Sequence, residues 1–397
     1  MAKKEKKKLE KKNWVSTFGL IGEAKVNDYT YKIDEKSEKS DWIYNSLNLG
    51  VYCGETSGTV YAELMGGYGS ERDNVVYVHG KKDDGSDDFD NKFTIDWDDR
   101  FDEAILESVG DLSFMTVGLE KDKGGKVFYK KFLTSYDLID YVHENLEDGM
   151  IVNVKGSLKY STYNDETQVK KEINSIVLSK VDDSSKYHAR FTQTMLLTKD
   201  SVGKPDKDKG IIPIYTKVLD YIKEWKGKEV KCNIPYSKTF EYETDLSNRE
   251  IVEKVVSKVF KVNKGVTEIT FEGDLIEGGA VVTATEDDIP DDIKTLIEIG
   301  VYTLEEALEK CTVNTGRARR MVLRKPLIKM VEGNDGSKTP VIQKFEKKYE
   351  DEDLILDFMY QADEENEEAD DDQDVDSDKD TESVEETVSD DDWLNNL

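Results

Sequence analysis

A mainly β protein with short helices, α+β in class, is what this sequence predicts. Three observations carry it: strand-like runs rich in Val, Tyr, Ile and Leu, one apolar stripe at helical spacing among them, and charged ends without periodicity. In order, residues 46–67, "SLNLGVYCGETSGTVYAELMGG", are two apolar runs around "GETSG" and read as a hairpin. Residues 136–146, "YDLIDYVHENL", put Leu138, Ile139, Val142 and Leu146 on one helical stripe. Residues 150–163, 170–181, 189–199 and 266–285 alternate as strands. Beyond Asp288 the pattern turns helical: Pro290 opens "IPDDIKTLIEIG", and Thr303 with Glu306 forms a capping box. "EGNDGSKTP" (332–340) is a turn or hairpin tip.

A repeat organises these elements. "LIDYVHENLEDGMIVNV" (138–154) and "VLDYIKEWKGKEVKCNI" (218–234) both read as an amphipathic helix, a Gly turn and a strand. Asp140-Tyr141 and Glu144 match Asp220-Tyr221 and Glu224 at an offset of 80, and Gly149 and Val152 match Gly227 and Val230 at 78. One helix set between the strands of a small, partly open barrel is the build of the OB-fold, so two OB-like β-barrel domains are expected. The division is a basic disordered head (1–12), a first OB-like domain with an acidic insertion near 83–103 (13–185) and a second (186–288). A helical and hairpin extension (289–360) and a disordered acidic tail (361–397) follow.

Composition narrows the function. A length of 397 residues suffices for two domains with their own cores. No apolar run approaches the roughly 20 residues of a membrane span, and the Lys-rich start has no signal-peptide core behind it, so a cytoplasmic protein is expected. Cys53, Cys232 and Cys311 are as scattered as His79, His143 and His188, which fits a reducing compartment and argues against structural zinc. The net charge of -30 is segregated: +5 in residues 1–12, -17 in 361–397, -8 in 83–103, and -10 over the rest.

Catalytic motifs find no match. "GLEKDKGGKV" (118–127) lacks both the phosphate-loop spacing and a Ser or Thr after Lys126, and no nucleophile elbow occurs. A non-enzyme without cofactor is expected, with a metal-dependent nuclease using Asp83, Asp84, Asp87 or Asp88 as the lesser alternative. Single strands need rings for bases and cations for phosphates. "KVFYKKFLTSY" supplies Phe128, Tyr129 and Phe132 with Lys130 and Lys131, and "KGSLKYSTY" supplies Tyr160 and Tyr163 with Lys155 and Lys159. Alternation also turns some of these rings into core. Four of the eight arginines, Arg317, Arg319, Arg320 and Arg324, fall in "TGRARRMVLRKP", a pattern suited to phosphate contact or to pairing with nearby acids.

The tail ends in "SDDDWLNNL". Asp390, Asp391 and Asp392 suit a basic partner pocket, and Trp393, Leu394 and Leu397 give a short motif its apolar anchor. With "GMIVNVKGSLKYSTYNDETQVKKEINSIVLS", which looks like a late OB-fold hairpin, this architecture resembles bacterial and phage single-stranded-DNA-binding proteins. The resemblance implies a body that coats single-stranded DNA without strong sequence preference. It also implies a tip that recruits replication, recombination and repair proteins. The bacterial tip ends in Pro-Phe where this one has Trp-Leu and a final Leu, so a phage form fits better, which implies the host cytoplasm if the chain is phage-encoded. The rival reading is a virion or scaffold protein that binds no nucleic acid. No membrane partner is expected, and the sequence fixes no oligomeric state.

Overall fold

Alternate residues of Ser16–Lys25 (β1) are buried, and Gly22 lets this strand change partners midway. A Cβ at Gly22 would lie 1.9 Å from the Tyr52 carbonyl oxygen. The computed structural model describes residues 6–359 except 165, 208, 226, 279–280, 283–288, 290, 299–301, 305–306, 308–312, 315–317 and 333–337. After β1 come Tyr31–Lys36 (β2) and the hairpin of Trp42–Tyr52 (β3) and Thr59–Gly69 (β4), with Gly54–Ser57 (α1) at its turn. Val75–Lys81 (β5) and Asp87–Asp96 (β6) form a separate two-stranded sheet, followed by Glu103–Leu106 (α2). A second hairpin, Met115–Lys121 (β7) and Val127–Phe132 (β8), leads into Ser135–Asn145 (α3), then Ile151–Tyr163 (β9) and Glu166–Leu178 (β10).

Five of these strands close on themselves. β1 pairs with β3, β3 with β4, β4 runs parallel to β10, β10 pairs with β9, and β9 returns to β1. This is the connectivity of an OB barrel, with α3 inserted between its third and fourth strands. Thr134 caps α3 by accepting the Asp137 N–H, and Leu138, Ile139, Val142 and Leu146 are buried against the barrel, as their spacing predicts.

The second barrel repeats the plan with His188–Leu197 (β11), Ile211–Trp225 (β12), Lys228–Glu243 (β13), Arg249–Val255 (α4) and Val266–Gly278 (β14). Val281–Val282 (β15) pairs with Val313–Asn314 (β16), Asp291–Glu298 (α5) lies between them, and Ala318–Pro326 (β17) completes the ring. β11 pairs with β12 and β14, β12 with β13, β13 runs parallel to β17, and β17 pairs with β14. The arginine-rich segment is thus the fifth strand of this barrel, beyond the expected boundary at 288. Ile328–Glu332 (β18) and Lys338–Ile342 (β19) form the expected hairpin, and Lys344–Tyr349 (β20) borders β14. β1 also pairs with β11, so the first strands of the two barrels join them into one sheet.

The two barrels share one plan, but the expected match of 138–154 to 218–234 does not align them. Val218–Trp225 is strand β12 and not a helix, so the offset of 80 aligned a helix with a strand. Its buried residues at 216, 218, 219 and 220 serve a pleated barrel wall. The segments that occupy matching places on the fourth strands are "VKGSL" (154–158) and "FEGDL" (271–275). In each, a glycine sits opposite a phenylalanine of the first strand: Phe18 with Gly156, Phe191 with Gly273. A Cβ at Gly156 would meet the Phe18 ring at 2.6 Å, and one at Gly273 the Phe191 ring at 2.4 Å. Both barrels therefore need a bare backbone where the first-strand ring crosses the wall.

The head also departs from expectation. Within residues 6–12, Leu9 is buried with Leu196, Leu219, Val266 and Tyr349, Lys7 N–H donates to Asp353, and Lys11 Nζ meets Asp220 at 2.9 Å. One leucine among lysines suffices to dock the segment, and the buried carboxylate of Asp220 supplies the counter-charge. The tail, with Asp390, Asp391, Asp392, Trp393, Leu394 and Leu397, lies outside the described residues. No described helix is long and apolar enough to cross a membrane.

Candidate nucleic-acid interface

Directly opposed residues of paired strands share a face. Following the register outward from the junction of the barrels gives one row: Arg190 (β11), Gly19 (β1), Lys155 (β9), Ser175 (β10), Thr116 (β7) and Lys131 (β8). The row crosses six strands, and at the usual strand spacing of about 4.8 Å it spans about 24 Å. Alternation adds Lys159 and Tyr163 along β9, Thr17 along β1 and Thr192 along β11 to the same face. Tyr129 joins it on β8: a Cβ at Gly118 would touch its ring at 3.1 Å, so ring and glycine lie on one side of the hairpin. Gly19 is open, with nothing within 4 Å of where a Cβ would stand.

Lys155, Lys159 and Arg190 are exposed and have no carboxylate at ion-pair distance among the described residues. Lys131 is exposed but meets Asp111 at 3.1 Å, and its ammonium lies 5.4 Å from the Phe114 ring. Two half-exposed rings, Tyr129 and Tyr163, sit toward the ends of this surface. The arrangement offers cations and hydroxyls for phosphates, open backbone for close approach, and rings for bases.

The remaining expected contact residues fall elsewhere. Tyr160 must be corrected: it is 5% exposed, its ring stacks on Tyr236 at 6.4 Å, and its hydroxyl donates to Gln193 Oε1 at 2.9 Å, so no base can reach it. Alternation along β9 turns it inward between Lys159 and Ser161. Phe128, Lys130 and Phe132 alternate with Tyr129 and Lys131 and so take the other side of β8. There Lys130 pairs with Glu120 at 3.2 Å and lies over the Tyr141 ring, against which Phe132 packs.

Arg320 and Arg324 are saturated by acids of adjoining strands: Arg320 by Glu241 and Glu243, Arg324 by Glu243 and Asp274. Burial raises the Glu243 carboxyl, but the hydrogen bonds from Arg324 and Arg320 outweigh it and hold the group below its ordinary range. Arg319 is exposed on β17 opposite Glu277, and Arg317 lies outside the described residues.

The acidic insertion is spent on its own fold. Asp87 accepts from Leu112 N–H at 2.9 Å and lies 2.7 Å from His79 Nε2, Asp84 accepts from Ser86, and Asp88 from Asp90 N–H, while Asp83 lies in the same turn region. Among the described residues no three His, Cys, Asp or Glu side chains converge to hold a metal.

Arg190 is the residue the sequence reading missed. The signal was present in "HARFTQ": Ala189, Phe191 and Gln193 are buried, which leaves Arg190 and Thr192 on the outer face.

A family model described as YorF matches residues 112–296, from the β7–β8 hairpin to α5. No curated protein matches the sequence. Among solved structures, the chain is similar to the wild-type single-stranded DNA binding protein from Thermus aquaticus at 11% identity and a TM-score of 0.29, covering 66% of this chain and 86% of that one. A deletion mutant of the same protein matches at 11% identity and a TM-score of 0.28, covering 66% and 87%.

Proposed function

We propose that this chain binds single-stranded DNA, with little sequence preference, along the outer face that runs from Arg190 through Lys155 to Lys131. The observation that supports it is the register row with its neighbours along β9: Arg190, Lys155 and Lys159 exposed and without acid partners among the described residues, hydroxyls and an open glycine, with Tyr129 and Tyr163 beside them. Unpaired lysines and arginines gathered on one face of an acidic protein suit phosphate contact, because displaced counterions drive such binding. Two rings at about 1–3 kcal/mol per stacked base add affinity without reading sequence.

The proposed role is non-catalytic, in DNA replication, recombination or repair. The apolar tip Trp393-Leu394 with Leu397 is the proposed hook for partner proteins, and the acidic tail competes with DNA for the cationic face. Titrating the full chain and a chain ending at Tyr360 with oligo-dT and with duplex of equal length tests this. Preference for the single strand, strengthened by truncation, is expected. Equal weak binding of both forms at low salt would leave the scaffold reading in its place.

A further inference from the structure

The docked head lies on the same outer face as the cationic row. Along β11 that face carries Arg190, Thr192, Thr194 and Leu196, and along β9 it carries Lys155, Ser157 and Lys159. Leu196 stands opposite Lys217 of β12, and alternation along β12 adds Leu219 and Tyr221. Leu9 settles on Leu196 and Leu219, so the head crosses this face. It meets the end of β9 at one carboxylate, because Asp220 takes Lys11 Nζ and the Tyr160 N–H at 2.9 Å each. The Val15 N–H donates to Thr194 Oγ1 at 3.0 Å, the Glu10 N–H to the Tyr349 hydroxyl at 3.2 Å, and Asn233 Nδ2 to the Leu9 carbonyl at 2.9 Å. Asn233 is the residue opposite Tyr221, which places Tyr221 on the flank of the docked segment.

Residues 6–12 set five lysines against Glu10. Lys6 pairs with Asp357 at 2.6 Å, Lys11 with Asp220, and Lys7 Nζ reaches the Lys348 carbonyl at 3.3 Å. Lys8 and Lys12 are exposed and have no carboxylate at ion-pair distance among the described residues. The seat has thus used the other lysines and left two cations displayed on a fixed backbone. Cations held in place grip phosphate without the ordering cost a free arm would bear. Tyr221 is 49% exposed beside them, a ring that a base can cover.

We infer that a bound single strand runs on from Lys159 over the docked head to the second barrel, with Lys8 and Lys12 on its phosphates and the Tyr221 ring against a base. The inference rests on the proposed strand-binding function and gives that site a second half.

The test measures oligo-dT affinity against salt for the full chain and three variants of it. Lys8→Ala/Lys12→Ala should flatten the slope of log affinity against log salt by about 1.4, the value for two phosphate contacts on a single strand. Tyr221→Ala should weaken binding about tenfold and leave the slope alone. Leu9→Ser keeps every lysine but unseats the segment, and should flatten the slope as the double lysine variant does. A native slope in Leu9→Ser would mean that the lysines act from a free arm, which overturns the docked path. Native affinity in either Lys8→Ala/Lys12→Ala or Tyr221→Ala overturns it as well, and these two surface variants decide alone should Leu9→Ser not fold. A native chain that fails to bind oligo-dT at low salt would instead remove the strand-binding function, and this path with it.

Discussion

Lys155, Lys159 and Arg190 are exposed, and none of them spends its charge on a carboxylate of the described fold. Each is therefore expected to act on phosphate alone: replacement by Ala should leave stability within about 0.5 kcal/mol and weaken oligo-dT binding, as chemical denaturation and titration would show. Tyr129→Ala should cost about 1–3 kcal/mol of binding. Tyr160→Ala belongs to another category: it removes a stacked core ring and should cost about 3–5 kcal/mol of folding stability. The five residues "KGSLK" (155–159) made the outward lysines legible, because alternation places both on one face. Alternation puts Tyr160 and Tyr163 on opposite sides of β9 but does not say which side is the core, so the inward ring was identified only once the barrel closed.

At the scale of elements, β17 shows how a cluster of arginines becomes structural. Arg320 and Arg324 stitch this strand to Glu241 and Glu243 of β13 and Asp274 of β14, across a parallel pairing of only two residue pairs. The Glu243 carboxyl is held low, so its contribution to stability is complete above the unfolded value of about 4.3 and is lost as pH falls through the lower folded value. Acid titration followed by circular dichroism should show Glu243→Gln losing part of that pH dependence; an unchanged profile would mean the stitch contributes nothing. The chain's local signals located α3 and the strands β3, β4, β9, β10, β11 and β14, since each has its own period. They did not reveal that residues 318–326 belong to the second barrel, because a parallel closing strand is specified by partners some 80 residues away. The docked head escaped for a related reason: only Leu9 marks it, and its pocket is assembled from four distant elements.

For the whole molecule, the pairing of β1 with β11 makes the two barrels one continuous sheet, and Asp220 ties them further. Its buried carboxylate takes Lys11 Nζ at 2.9 Å from the head and the Tyr160 N–H at 2.9 Å from the first barrel. Asp220→Ala should therefore cost about 3–5 kcal/mol and loosen both barrels in one thermal transition. The two barrels also divide the labour. Where the first barrel presents Lys155, the second has Glu272 at the matching position, and Glu272 is consumed by Lys325 at 2.9 Å. An acidic protein can hold DNA on this account because Lys155, Lys159 and Arg190, without acid partners among the described residues, share one face across the sheet junction. The measurement that tests this most directly is the salt dependence of oligo-dT affinity for the native chain and for Lys155→Ala/Lys159→Ala/Arg190→Ala. Removing three phosphate contacts should flatten the slope of log affinity against log salt by about 2. Tight binding with the same slope in both proteins would place the DNA on another surface and contradict the interface described.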